Sequence, residues 1–324
     1  MQFIDMKAVA VSAPLKTAHY PLPRGEALKE ALSLCMTDYY SKAVNNQKFE
    51  ARGILVTGKS RVGKTRELDR LIASFNRSET PMPDGRSGAI ISCSLAGKAT
   101  WREAGNTALE TLGYPAEGRR DAAYIWRTIR LQTQRLGVIG IHFDEAQHMF
   151  TDTGEAANRV MLDNFKALLK DPAWPVILIL SGVPDLAKHL EKERPTEDRR
   201  QLRFLLTPIH FEMINPGEDA AELNEMAYSY ADKAGVNFDA LSNGDFFERL
   251  SHACAYRWGL VIEMLIEAFT TCVLSGETAV TIDHFVKAFS RIYGTPVGRS
   301  PFTMPDYRDC FDPGKLAELL DRDR

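Results

Sequence analysis

The chain has 324 residues, 44% of them hydrophobic and 26% charged, which suits a globular protein of one large or two ordinary domains. No apolar run approaches the roughly 18 residues a membrane span needs, and the N-terminal MQFIDMKAVAVSAP lacks the basic region and cleavage site of a leader, so a cytoplasmic protein with no membrane partner is expected. A formal charge of −3 argues against coating nucleic acid through bulk positive charge, leaving local basic patches that an oligomer accumulates by repetition.

Residues 1–47 hold a Pro-containing arm (His19-Tyr20-Pro21-Leu22-Pro23) and a helical stretch around Leu28 to Tyr40, expected to pack beside the ligand of the loop that follows. That loop is the most informative segment. The apolar run Gly53-Ile54-Leu55-Val56-Thr57 leads into GKSRVGKT, Gly58 to Thr65, the spacing G-x-x-x-x-G-K-[ST] that cradles a nucleoside triphosphate. Backbone N–H groups wrap the β-phosphate, Lys64 reaches the β- and γ-oxygens, and the Thr65 hydroxyl ligates magnesium. Leu68, Leu71, Ile72 and Phe75 follow at helical spacing, so a helix N-terminus faces the phosphates. Gly58, Lys59, Ser60, Arg61, Val62, Gly63, Lys64, Thr65 and Arg66 are therefore expected to bind ATP.

A turn-rich stretch, Arg77 to Gly88, precedes a short buried strand at Ala89 to Cys93. Two helices are expected near Trp101 to Leu112 and Asp121 to Leu136. Val138 to Phe143 reads as a third strand and runs straight into Asp144-Glu145. In a P-loop protein this pair divides the work: Asp144 holds the magnesium shell, and Glu145 orients and polarises the attacking water. A helix near Ala156 to Leu169 and a fourth strand, Val176 to Ser181, continue the alternation, and Ser181 ends that strand where a hydroxyl reaches the γ-phosphate or the lytic water. Arginines 194, 199, 200 and 203 crowd the approach to a fifth strand at Pro208 to Ile214; one of them can act on a neighbouring subunit's γ-phosphate. Strands alternating with helices imply a parallel sheet.

From Pro216 the pattern is helical only. Val261, Met264, Leu265, Ala268 and Cys272 mark one apolar face, and Phe285, Ala288, Phe289 and Ile292 another. The divisions expected are an N-terminal arm and helix (1–47), a P-loop core (48–214), an all-α lid (215–293) and an extended tail (294–324) with one short helix near Lys315 to Leu320. The five cysteines are widely spaced without a C-x-x-C, so reduced thiols are expected. No N-K-x-D segment is present to read guanine.

The P-loop GKSRVGKT, the strand closing in FDEAQHMF, the strand end LSGVPDL, the Arg203-Phe204 pair before the fifth strand and the all-α lid together resemble an AAA+ ATPase: an α/β fold with a parallel sheet, helices on both faces and a small all-α lid. More narrowly, the DEAQH continuation, the length and the stretch Gly298 to Phe302 are similar to the TniB/TnsC-type transposition regulators, over roughly residues 22 to 302. That resemblance implies a Mg²⁺-dependent ATPase that forms a ring or helical filament on double-stranded DNA. It also implies recruitment or activation of a DDE-type transposase, a TniQ-like target selector as a further partner, and disassembly on hydrolysis. Arg203 best matches the arginine that completes a neighbour's site, with Arg199 and Arg200 as alternatives. Arg257, in Tyr256-Arg257-Trp258-Gly259, lies a few residues before the position of the lid arginine that senses nucleotide. The resemblance places DNA contacts at Lys98, Thr100, Arg102, Arg119 and Arg120. Trp101 and His148 can likewise contact DNA or a partner, but a packed Trp and a surface His are the preferred reading. A helicase loader or replication initiator is the runner-up in the same superfamily, and a non-hydrolysing ATP-gated scaffold is the alternative from another class.

Overall fold

A computed structural model describes residues 3–45, 48–115, 120–150, 154–191 and 201–322, which divide into two compact bodies. The α/β body comprises Pro23–Lys59 and Lys64–Phe211, and the all-α body comprises Met1–Leu22, Ser60–Gly63 and Glu212–Arg324.

The chain begins with α1 (Met6–Thr17), capped by the Asp5 carboxylate, which accepts from Lys7 N and Ala8 N. Next comes α2 (Pro23–Val44), opened by a proline whose missing N–H costs nothing at a first helical turn. The α/β body then runs β1 (Gly53–Gly58), α3 (Lys64–Ser78), β2 (Ala89–Ser94), α4 (Trp101–Thr111), α5 (Ala122–Leu136), β3 (Val138–Asp144), α6 (Glu155–Leu169), β4 (Ile177–Gly182), α7 (Asp185–Glu191), α8 (Gln201–Leu205) and β5 (Leu206–Phe211). The five strands pair in parallel in the order β2-β3-β4-β1-β5. The inner strands β1, β3 and β4 are buried along their whole length, which is why they read as unbroken apolar runs. The fifth strand begins two residues earlier than its apolar pattern suggests. It carries Pro208 opposite Leu55, a residue without an N–H that is tolerable because β5 is an edge.

The connection from β1 to β2 runs one way across the sheet and every later crossover runs back. Right-handed crossovers therefore put α3 on one face and the other connecting helices on the opposite face. The direction reverses at β1 and its neighbour β4, so the loop after β1 opens at the crevice beyond the strands' carboxyl ends, where ligands of such sheets sit.

The all-α body contains α9 (Ala220–Ala234), α10 (Gly244–Ala253), α11 (Trp258–Leu274), α12 (Ile282–Tyr293), α13 (Tyr307–Cys310) and α14 (Pro313–Arg322). Its core is an aromatic cluster. Phe246 lies edge-on to Phe285 at 4.9 Å and to Phe238 at 5.7 Å, and Phe302 closes on Phe285 at 5.5 Å. The expected apolar faces are buried except at Ile292, which is half-exposed.

Two segments differ from their sequence expectation. The first 47 residues are split, for α1 folds with the all-α body, where the Tyr230 hydroxyl donates to Ala18 O, and only from Pro23 does the chain enter the α/β body. The C-terminal stretch carries the expected short helix as α14, adds the single turn α13, and is tethered where the sequence suggests an extended tail. Arg249 Nη1 donates to Pro301 O (2.9 Å) and Met304 O (2.7 Å), while Phe302 and Tyr307 are buried. Its Pro, Gly and Asp content hid the few aromatic anchors that fix it. Cys35, Cys93, Cys254 and Cys272 are buried free thiols. Among the described residues no helix is long and apolar enough to cross a membrane.

Candidate nucleotide site and its comparison with known folds

The loop between β1 and α3 turns through Gly63 at φ +103°, a conformation open to glycine and not to a residue with a Cβ. Lys64 begins α3 and is buried, its Nζ donating to Gly58 O (2.8 Å) and Lys59 O (3.0 Å). The ammonium thus spans the mouth of the loop from inside. Val62 is fully buried and pins the loop, while Lys59, Arg61, Thr65 and Arg66 are exposed.

The two residues expected to hold the metal are brought together although 79 positions separate them. Thr65 Oγ1 donates to Asp144 Oδ2 at 2.9 Å. Between the loop and Asp144 lies β4, and its last polar residue joins the same carboxylate: Ser181 Oγ donates to Asp144 Oδ1 at 2.5 Å. Ser181 is fully buried, so the structure places its hydroxyl on Asp144. Glu145 follows in a left-handed conformation, φ +55° and ψ +40°, which is uncommon for a residue with a side chain and tends to mark functional strain. Its N–H donates to Asp144 Oδ1 (3.0 Å), and its own Oε2 accepts from Gln147 Nε2 at 2.6 Å.

A third layer was missed by sequence reasoning. His142, inside β3, is fully buried, with Ser92 Oγ 2.8 Å from Nδ1 and Ser181 Oγ 2.8 Å from Nε2. Burial pushes its pKa down to about 4, against the pull of the nearby Asp144 carboxylate upward, so the ring is neutral at pH 7. The proton order follows from the acceptors. An ionised Asp144 only accepts, so Ser181 gives it its single proton and must itself accept from His142 Nε2–H; Nδ1 then accepts from Ser92. The result is a one-way chain from the edge strand β2, through β3 and β4, to the Asp144 carboxylate. The available signal was a histidine in an otherwise apolar strand two residues before Asp144.

Arg257 sits at the N-cap of α11, after two consecutive left-handed residues, Ala255 (φ +47°) and Tyr256 (φ +58°). Only 1% exposed, it donates from Nη1 to Ser60 O (2.6 Å) and pairs through Nη2 with Asp321 of α14 at 3.4 Å. Gly259 N donates to Arg61 O (2.9 Å), and Arg61 pairs with Glu263 at 2.7 Å. Arg203 is exposed on α8, held there by the buried Leu202 and followed by Phe204, which is 69% exposed. Arg119, Arg194, Arg199 and Arg200 lie outside the described residues.

Of the basic residues after β2, Lys98 is exposed on the loop and Arg120 lies over the Tyr124 ring at 5.0 Å. Thr100 is the N-cap of α4, its Oγ1 accepting from Glu103 N while Glu103 Oε2 accepts from Thr100 N, a capping box that occupies the hydroxyl. Arg102 is half-buried. Trp101 is packed, stacked on Trp126 at 3.9 Å and edge-on to Phe165 at 5.5 Å, and His148 is half-buried.

The donor set fits a Mg²⁺–triphosphate. Magnesium takes one or two protein oxygens and completes its shell with phosphates and water, and Thr65 and Asp144 present a hydroxyl and a carboxylate side by side. Among the described residues no cluster of three His, Cys, Asp or Glu forms an all-protein cage.

A family model described as AAA domain (AAA_22) matches residues 47–190. No curated protein matches the sequence. Among solved structures, Cdc6p from Pyrobaculum aerophilum superposes with a TM-score of 0.59 at 13% identity, covering 89% of this chain and 75% of that one. The ADP form of the ORC2 protein of Aeropyrum pernix superposes at 0.57 and 14% identity, covering 86% and 72%. The ORC1 protein of Aeropyrum pernix, solved in complex with DNA, superposes at 0.55 and 14% identity, covering 87% and 69%. Residues 47–190 therefore match an AAA domain, and the chain as a whole has the AAA+ P-loop fold with a helical C-terminal region.

Proposed function

We propose that the protein is a Mg²⁺-dependent ATPase that uses the state of its nucleotide to control its own assembly on double-stranded DNA. The observation that carries the ATPase part is the convergence at one sheet end of Lys64, the Thr65–Asp144 pair and the buried Glu145. Lys64 and the loop N–H groups bind the β- and γ-phosphates, Thr65 and Asp144 hold the cation, and Glu145 takes a proton from the attacking water. Magnesium, when bound, neutralises charge on the phosphates. Arg203, exposed ahead of β5, is assigned to the γ-phosphate of an adjacent copy, and Arg257, which donates to Ser60 O, to sensing the nucleotide.

The DNA part draws support from the likeness to ORC1, which was solved in complex with DNA, and from Lys98, Arg102, Arg119 and Arg120 on the segment after β2. These favour a replication-initiator or helicase-loader type of switch. A second reading, a TniB/TnsC-type transposition regulator working with a DDE-type transposase and a TniQ-like selector, is favoured by the DEAQH continuation of β3 and the Gly298 to Phe302 stretch.

Electron microscopy and anisotropy with duplex DNA, with ATP, ADP or no nucleotide, test the common core. The expected result is ATP-dependent oligomers on DNA whose affinity falls steeply with salt. A chain that stays monomeric with saturating ATP, magnesium and duplex overturns the assembly reading. Stimulation of strand transfer by a transposase against loading of a replicative helicase separates the two types.

A further inference from the structure

We infer that Gln147 is a positioning residue for hydrolysis: it holds the Glu145 carboxylate in register with the end of β4, and so sets the turnover rate without adding to nucleotide affinity. The inference rests on the ATPase reading above and assigns a role to a side chain that the P-loop motifs do not include.

Gln147 lies in the short 3-10 turn Ala146–Met149 that follows Glu145, and it is buried. Both ends of its amide are engaged. Nε2 donates to Glu145 Oε2 at 2.6 Å, and Oε1 accepts from the backbone N–H of Val183, one residue past β4, at 3.3 Å. The orientation of the amide is fixed by its partners, since an ionised carboxylate only accepts and a backbone N–H only donates. A flipped amide meets both with the wrong group.

The neighbouring backbone is shaped around this bridge. A Cβ on Gly182 would stand 2.2 Å from Gln147 Oε1 and 3.4 Å from its Cδ, so glycine at the end of β4 leaves the space that the amide fills. One residue earlier, Ser181 donates to Asp144. The last two residues of β4 and the first beyond it therefore hold both carboxylates, Asp144 through Ser181 and Glu145 through Gln147.

The need for such a tether comes from the backbone. Glu145 is in the left-handed region, outside the strand that orders Asp144, and a Glu side chain carries rotamer entropy that must be removed for its oxygen to meet a water. A short, charge-assisted hydrogen bond supplies that order. The phosphates are gripped by other groups, Lys64 and the loop backbone, so loss of the tether acts on turnover alone.

Steady-state ATP hydrolysis and binding of a fluorescent ATP analogue, on the full chain with duplex DNA present, test this in five proteins: unmodified, Gln147→Ala, Gln147→Met, Gly182→Ala and the Gln147→Ala/Gly182→Ala double variant. The expected result is kcat lower by about tenfold in both Gln147 variants with the Kd for nucleotide within about twofold. Gly182→Ala reproduces the loss, and in the Gln147→Ala background it adds little, because the group it collides with has gone. Gln147→Met keeping full kcat while Gln147→Ala loses it makes the role one of packing and overturns the inference. A loss of affinity that matches the loss of kcat/KM, or additive losses in the double variant, overturns it too. Turnover unchanged in all variants refutes the tether alone, whereas no turnover in the unmodified protein refutes the ATPase reading and the tether with it.

Discussion

The interiors of the two bodies are built from opposite materials. At the end of the parallel sheet, the α/β body buries His142, Ser181, Asp144, Glu145 and Gln147, each hydrogen-bonded to the next, whereas the all-α body fills its centre with Phe238, Phe246, Phe247, Phe269, Phe285, Phe289 and Phe302. Each buried polar group costs about 1–3 kcal/mol if left unpaired, so the first arrangement survives only because its members are paired in a directed chain. Rings in edge-to-face contact gain about 0.5–1.5 kcal/mol beyond their buried area. One interior is a directed polar network and the other a packed aromatic cluster. Arg257, with its carbonyl and carboxylate partners, is the buried charge that breaks the aromatic body's pattern.

The strongest way to break this division is Lys64→Ala. It removes the cation from the phosphate loop and is expected to weaken ATP binding at least a hundredfold, read by equilibrium binding. Hydrogen exchange in α11 and α12 should stay as it was. Faster exchange throughout the aromatic core would show that the loop lysine is a structural element and that the division is false.

Glu145→Gln is next. The variant keeps the Thr65–Asp144 pair and therefore the nucleotide, but loses the base, and hydrolysis should fall by about 10²-fold or more while ATP-dependent assembly persists. Wild-type turnover in this variant removes Glu145 from the mechanism. On the other side, Phe246→Ala opens a cavity between Phe238, Phe285 and Phe302 and should cost about 3–5 kcal/mol of stability. The check is the denaturant midpoint of the all-α body.

The contrast also explains what the sequence made visible. The P-loop was legible because its spacing is local: eight consecutive residues between an apolar strand and an amphipathic helix. The fully buried strands were legible as apolar runs, and α11 and α12 as apolar stripes. Asp144 and Glu145 were legible through their place at a strand end. His142, Ser92 and Gln147 were not, because their roles arise from side-chain contacts that exist only once the strands pair in register: Ser92 and Ser181 on either side of His142, and Gln147 between Glu145 and the end of β4. Helix α1 was hidden by its weakly patterned composition, MKAVAVSAPLKT with Pro14 inside, and only its packing on the all-α body fixes it. Arg257 was legible as a candidate, but the partner it finds in Asp321 lies 64 positions away on a helix read as tail.

A pH experiment sharpens the polar side. Folding depresses His142 from the ordinary 6.5 to about 4. Between those values the unfolded chain binds a proton that the folded one does not, so stability rises with pH across this window. In metal-free protein, stability should be complete above about pH 6.5 and decline as pH falls toward 4, by up to about 3 kcal/mol. His142→Gln, which does not titrate, should flatten that part of the profile even if it lowers stability overall. An unchanged slope assigns the acid sensitivity to carboxylates elsewhere.

The smallest expected effect probes the exception in the aromatic body. Arg257 is 1% exposed, while the Asp321 side chain that faces it is 28% exposed, so the pair is half in solvent and its loss should cost nearer 1 kcal/mol than the 3–5 kcal/mol of a fully enclosed pair. Asp321→Asn keeps the shape and removes the charge, leaving the guanidinium with the Ser60 carbonyl as its near partner. If Arg257 serves the loop, the variant should alter ATP affinity by a few fold while the midpoint of the all-α body moves only slightly. If Arg257 is merely a structural cation of α11, the midpoint moves and the affinity does not. Measuring both in the same preparation decides whether Arg257, the one arginine buried among the described residues, acts on the loop or only on the stability of its own body.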